Sequence, residues 1–477
     1  DDTYFLLQII LKRFERDENP VHDLEFKCLI PILTVYSSNE KIVQTVAHLV
    51  GYSDDYKNSK ELLFALMDAL KSNYDSYDTV IAIFMVLREF YSISKHLPFF
   101  KAQQNIELFR YLLSKYPSDV TICSFSLKVL QKMPISLDLC NSIMKKQSDI
   151  EVLISLSEYF LSVCQDYDLS TMKESIFEIL SHNIENITLF ENLIETVYYF
   201  SNNESTHLYI VKNIDVIISV FLKYTSSNNI SLGFLGILSN ITAKPTNLKY
   251  LTKYAHLIGV AMRNWINENQ IQRLGSNAIC HFAMAGKGSL FFSTLPVLEM
   301  ALKLETDIES TCQAIIHLVD SLGELSGTFA DDIITIFNRD KESIPFCAGC
   351  LQMIVKNKAA EEVVFNNLSS IFSLIDPIEN DMNSASLLDL CASLKNPAKL
   401  ILFGQYINQL MNLINQPKIR VATSAANCIL NLAKILPEIV EPYADEIIRS
   451  SQKSSGELLR VFLQLKNVLF GLKSSKL

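Results

Sequence analysis

Apolar residues recur every three or four positions through most of the 477-residue chain, a spacing that places them on one face of a helix. In LSEYFLSVCQD, Leu156, Phe160 and Val163 share such a face while Glu158 and Gln165 turn outward. The strand signature, alternating β-branched and aromatic residues bounded by Gly-rich turns, does not recur. The chain therefore reads as all-α. Its helical runs also end alike, with an apolar stretch followed by a polar break. Eleven such endings run from VAHLVGYSDD, anchored at Leu49, to CILNLAKILP, anchored at Asn431, an average of 38.2 residues apart. Phe200, Asn240 and Phe282 are anchors between them. One interval, Lys132 to Leu161, is only 29 residues, which predicts a two-helix unit or a bend near residues 132–161.

A period near 38 lies closest to the roughly 40 to 47 residues of HEAT and armadillo repeats, and further from tetratricopeptide repeats at about 34 and ankyrin repeats at about 33. One such unit cannot bury its apolar stripe alone, so stacking on the next unit must do it. The breaks suit this reading. Pro245, Pro397 and Pro437 follow anchored helices, where proline can open the next helix but not continue the last. Ser148 and Asp307 stand where N-caps are expected. In RVATSAANCILNLA, Ala422, Ser424, Ala425 and Ala426 permit close helix approach while Ile429, Leu430 and Leu432 fill a core.

At GILSNITAKPTN and RVATSAANCILNLAKILPE the chain resembles the armadillo family, whose third helix often reads like ALSNLA before a short break. The resemblance implies a right-handed superhelical solenoid of about 11–12 armadillo/HEAT-like repeats over residues 1–477, closed by a capping helix at 455–477. It also implies that the third helices line a concave groove. Asn240 in SNIT and Asn431 in LNLA would hold the backbone of an extended peptide there. The competing reading is that each Asn ties one repeat to the next. Nuclear-import adaptors of this family carry a Trp four residues before that Asn, and here those positions are Gly236 and Asn427. That makes cargo import by the usual route a weak expectation. Asn427, Phe200 and Phe282 complete the candidate groove, unless the phenylalanines form a buried seam. Trp265, the chain's only Trp, lies off the anchors and is expected to pack.

Composition sharpens the picture. Hydrophobic residues are 49% and charged residues 20%, with 13 Gly and 13 Pro, so breakers fall well below average usage of about 7% and 5%. No apolar run reaches the roughly 20 residues of a membrane-spanning helix. The chain opens on Asp with no initiator Met, which suggests a fragment or processed chain, and no secretory leader is visible. Ten scattered cysteines fit a reduced, cytoplasmic or nuclear setting. Five glycosylation sequons, including Asn240, are expected by chance in so Asn- and Ser-rich a chain. A net charge of −10 argues against nucleic acid as partner. The basic run of residues 449–477, with Arg449, Lys453, Arg460, Lys466, Lys473 and Lys476, reads as a solvated helix face.

Catalytic motifs are absent: no phosphate-binding glycine loop, no HExxH, no GxSxG. Cys347 and Cys350 are three apart on a predicted helix, but no strand precedes them and no second pair completes a zinc site, so they read as packing residues. His281 beside Cys280, and His317 near Asp320, lack a third ligand nearby in sequence. No cofactor is expected. The expectation is a non-enzymatic interaction scaffold or adaptor that binds an extended peptide or partner helix. The alternative is a regulatory or targeting region of a longer protein carrying a catalytic domain such as a kinase. A CxxC-dependent helical enzyme is the outsider.

Overall fold

The computed structural model describes residues 2–17, 23–52, 56–146, 148–167, 169–181 and 185–474. Among them there is helix and turn but no strand. They form two compact units. The first runs to Thr206 and includes Asn213–Val220, and the second comprises His207–Lys212 and the chain from Phe221 onward. The division falls within the helices Glu204–Lys212 and Ile214–Lys223, not at the short interval.

In the first unit, helices α1 (Asp2–Asp17), α2 (Glu40–Gly51), α3 (Tyr77–Tyr91), α4 (Val120–Val129), α5 (Ile150–Val163) and α6 (Ile187–Phe200) form a row in which each packs on the next where the chain is continuous. In the second unit the row is α7 (Asn228–Thr242), α8 (Asn269–Met284), α9 (Ile308–Leu322), α10 (Ile344–Ile354), α11 (Asp381–Ser393), α12 (Ile419–Ile435) and α13 (Gly456–Ser474). From α7 to α13 these helices begin 36 to 41 residues apart. A second helix and short 3-10 turns connect successive members, as in Pro245–Asn247, Thr252–Tyr254 and Ala255–Asn264 between α7 and α8. Only 30 residues separate the starts of α4 and α5, with the single helix Leu137–Lys146 between them. The terminal helix ends at Ser474, and the side chain of Lys473 and all of Lys476 lie outside the described residues.

Local chemistry sets these boundaries. Asp307 caps α9, its carboxylate accepting from the Ser310 N–H, and Ser227 caps α7 through Ile230 N–H. α5 is capped by Asp149, which accepts from Glu151 N–H, rather than by Ser148; the side chain next to the first turn reaches the open amides. Pro245, Pro397 and Pro437 each open the turn or helix after a row helix.

The core is apolar and continuous within each unit. Leu156, Phe160 and Val163 are buried, as are Ala422, Ala425, Ala426, Ile429 and Leu432. The small residues of α12 let it pack closely against α11. Polar ties also step one repeat at a time: Gln44 to Thr79, Asn192 to Ser157, and Gln409 to the Phe372 carbonyl are 35 to 37 residues apart. No single described helix is long and apolar enough to cross a membrane. The helix pair Glu204–Lys212 and Ile214–Lys223 passes on length and composition but is bent by 70°, and its Ile210, Ile214 and Ile217 are buried in the protein.

Candidate binding surface

The row helices turn their larger apolar residues inward, so the opposite stripe carries what a partner could meet. In α7, Ile237, Leu238 and Ile241 are buried, leaving Leu232, Gly236 and Asn240 four apart on the other side. Gly236 is itself buried, and Leu232 and Asn240 are half-buried. The stripe continues through Arg273, Asn277 and His281 on α8, then Gln313, His317 and Asp320 on α9, and Arg420, Asn427 and Asn431 on α12. Residues four and three apart on a helix share a face, so α8, α9 and α12 each add a short polar strip.

The sequence candidates separate on this geometry. Asn431 is half-buried, and its Nδ2 donates to the Leu394 carbonyl, 2.6 Å away and one repeat earlier. Its amide is therefore engaged as an inter-repeat tie, with Oδ1 still able to accept. Asn427, half-buried one turn earlier, makes no side-chain hydrogen bond among the described residues. Asn240 is half-buried and also has an interaction within the protein. The phenylalanines stand differently: Phe282 is 1% exposed and packs edge-on to Phe291 at 5.5 Å, and Phe200 is 5% exposed. Both rings belong to the buried seam, and that of Phe282 is covered by the 3-10 segment Gly288–Thr294 that follows its helix. Trp265 is half-buried off the row.

Two side-chain groups were not legible in the sequence as neighbours. His281 sits with Nδ1 3.0 Å from Thr242 Oγ1 on the preceding row helix. That hydroxyl lies 2.7 Å from the Leu238 carbonyl, which takes its proton, so Nδ1 donates and Nε2 is left as acceptor. Burial holds the His281 pKa below the ordinary 6.5, opposed by a bond to the Ser239 backbone and aided by nearby His317. The second group is three thiols: Cys312 on α9 meets Cys347 and Cys350 on α10, all fully buried. The bond to Cys312, then burial, push the Cys347 thiol far above its usual range, which disfavours its thiolate. No group of three or more His, Cys, Asp or Glu among the described residues has metal-binding geometry.

The first unit holds a tie of a different kind. The Lys115 ammonium bonds Asp75 and lies 5.8, 5.6 and 5.4 Å from the ring centroids of Tyr74, Tyr111 and Tyr116. A cation over aromatic faces is favourable, and here it links the ends of successive second-layer helices. Only a fold that brings residues 75 and 115 together reveals it.

No family model matches the sequence, and no curated protein does. Solved structures do. A structure from work on a conserved phosphorylation switch that controls the interaction between cadherin and β-catenin has a TM-score of 0.67 at 11% identity, covering 93% of this chain and 98% of that one. She4p matches with a TM-score of 0.44 at 16% identity over 99% of this chain and 75% of that one. Yeast importin-β (Kap95p) gives 0.41 at 12% over 99% and 66%. The first match, with the row geometry above, shows the class: this is an all-α armadillo/HEAT-like helical-repeat fold.

Proposed function

We propose that the protein is a non-enzymatic interaction scaffold in which the outward stripe of the row helices receives an extended peptide or a partner helix. The observation that carries this reading is the repetition itself. Polar strips on α8, α9 and α12, with Asn240 at the matching place on α7, recur on helices whose apolar sides are buried in the core. Shallow sites at regular intervals accumulate affinity along an extended ligand. Half-buried amides suit a peptide backbone, since an amide both donates and accepts whatever side chain follows. The burial of Cys312, Cys347 and Cys350 favours packing over a redox pair and so a scaffold over an enzyme. The β-catenin match concerns a protein whose interaction with cadherin is under study, which supports protein rather than nucleic acid as partner, as does the net charge of −10. Ten cysteines without framework spacing support a cytoplasmic setting.

Affinity capture followed by cross-link mapping tests the reading. The captured segment should cross-link along α7, α8, α9 and α12, and Asn240→Arg with Asn427→Arg should weaken capture at least tenfold without unfolding the chain. Cross-links confined to the second-layer helices would refute it.

A further inference from the structure

In an acidic chain, one part of the second unit is basic and open. The C-terminal ends of α10 and α11, with the turns that follow, border a depression of about 910 Å3 walled by Met353, Lys356, Lys358, Ser393 and Lys395. The three lysines are exposed, and none pairs with a carboxylate among the described residues. Nearby Lys399 differs, since it pairs with Glu362 at 2.7 Å. Glu361 is the carboxylate on the wall, but it is 8% exposed and accepts the backbone N–H groups of Lys395 and Asn396 at 2.5 and 2.9 Å. Its charge is committed to the turn.

Helix dipoles account for Lys356 and Lys395, since a cation is favourable near a helix C-terminus. Lys358 is not explained that way. It is the first residue of the helix Lys358–Asn366, the end where a cation is disfavoured by a few tenths of a kcal/mol. A local choice that opposes the fold's own preference points to a role outside folding. One repeat earlier Lys356 and Lys358 also border a depression of about 670 Å3 whose acids are Asp320 and Glu324. The edge therefore changes sign along the row, from Asp320 and Glu324 to Lys356, Lys358 and Lys395. At the far rim, Asn431 bonds the carbonyl of Leu394, next to Lys395.

We infer that this edge docks an extended acidic segment of a partner polypeptide, its carboxylates over Lys356, Lys358 and Lys395. The inference rests on the scaffold reading and adds the chemistry of the ligand. Packed helices lie roughly 8 to 10 Å apart and an extended chain advances about 3.3 Å per residue. Carboxylates about three residues apart thus meet successive repeats, and the end of the segment over Asp320 and Glu324 is neutral or basic.

The probe is a fluorescent 12-residue peptide with Glu at every third position, titrated against the full chain by anisotropy. Exchange protection is read at residues 352–358 and 393–397. Lys356→Glu, Lys358→Glu and Lys395→Glu together should weaken binding at least tenfold and abolish that protection. The control, Lys249→Glu, Arg263→Glu and Lys287→Glu, makes the same charge change elsewhere in the unit and should leave both within twofold. Equal weakening in both variants, protection elsewhere, no binding to the unaltered chain at 1 mM peptide, or tighter binding of a 12-nucleotide RNA at the same residues would each overturn it. The scaffold reading is judged separately, because cross-links of a captured partner along α7 to α9 would survive any of these results.

Discussion

Leu238 lies at the centre of α7, 1% exposed, between a helix of its own repeat and the next row helix. Leu238→Ala removes three carbons from that seam. At about 0.8 kcal/mol per buried methylene, the transfer loss is roughly 2.4 kcal/mol. A residual void of roughly 60 Å3 at about 24 cal/mol per Å3 adds ~1.4 kcal/mol if the site does not collapse. The expected cost is thus about 2.4 to 4 kcal/mol. Where it appears matters more than its size. In a one-dimensional stack, stability is approximately a sum over adjacent interfaces, so α7, the helix Ala255–Asn264 and α8 should bear the loss. Amide hydrogen exchange measures this directly, since 3 kcal/mol speeds exchange through local opening by about two orders of magnitude. Amides of α12 and α13, four and more repeats away, should change by less than threefold. Equal acceleration in α13 and α7 would show one cooperative body and refute the nearest-neighbour reasoning.

Two further outcomes follow from the buried titratable groups. Because the folded-state pKa of His281 is lowered below 6.5, the unfolded chain binds its proton first; His281 thus favours folding fully above about pH 6.5 and progressively less as pH falls through the folded value. His281→Asn, which keeps a donor near the Nδ1 position, should flatten the loss of stability between pH 7 and 5 measured by urea unfolding, and an unchanged slope would assign the pH dependence elsewhere. A thiol reagent should label exposed Cys28 rapidly in the native protein and reach Cys312, Cys347 and Cys350 only with denaturant; rapid native labelling of Cys350 would contradict its burial.

The sequence by itself determined the helix, the repeat and the identity of the core. A helical stripe such as Leu156, Phe160 and Val163 must be covered, and prolines at 245, 397 and 437 stand where helices start, so period and breaks, with the resemblance at GILSNITAKPTN and RVATSAANCILNLAKILPE, pointed to the armadillo/HEAT-like stack. The short spacing between Lys132 and Leu161 was likewise legible, because the link there is the helix Leu137–Lys146 without the 3-10 turn that the links α2–α3 and α5–α6 carry. The tertiary structure decided which side each anchor faces. Phe200 and Phe282 serve as anchors alongside Asn240 and Asn431 in the sequence, yet the phenylalanines close the seam while the amides stay half-exposed, because each Phe lies one residue further along its helix, the place of Asn240 being held on α8 by His281. It also decided every neighbour one repeat away. Lys115 with Asp75, His281 with Thr242, Cys312 with Cys347, and Lys395 with Lys356 and Lys358 lie 35 to 40 residues apart. The one-dimensional period shows that such pairs exist but not their rotation about the helix axis, and rotation is set by packing.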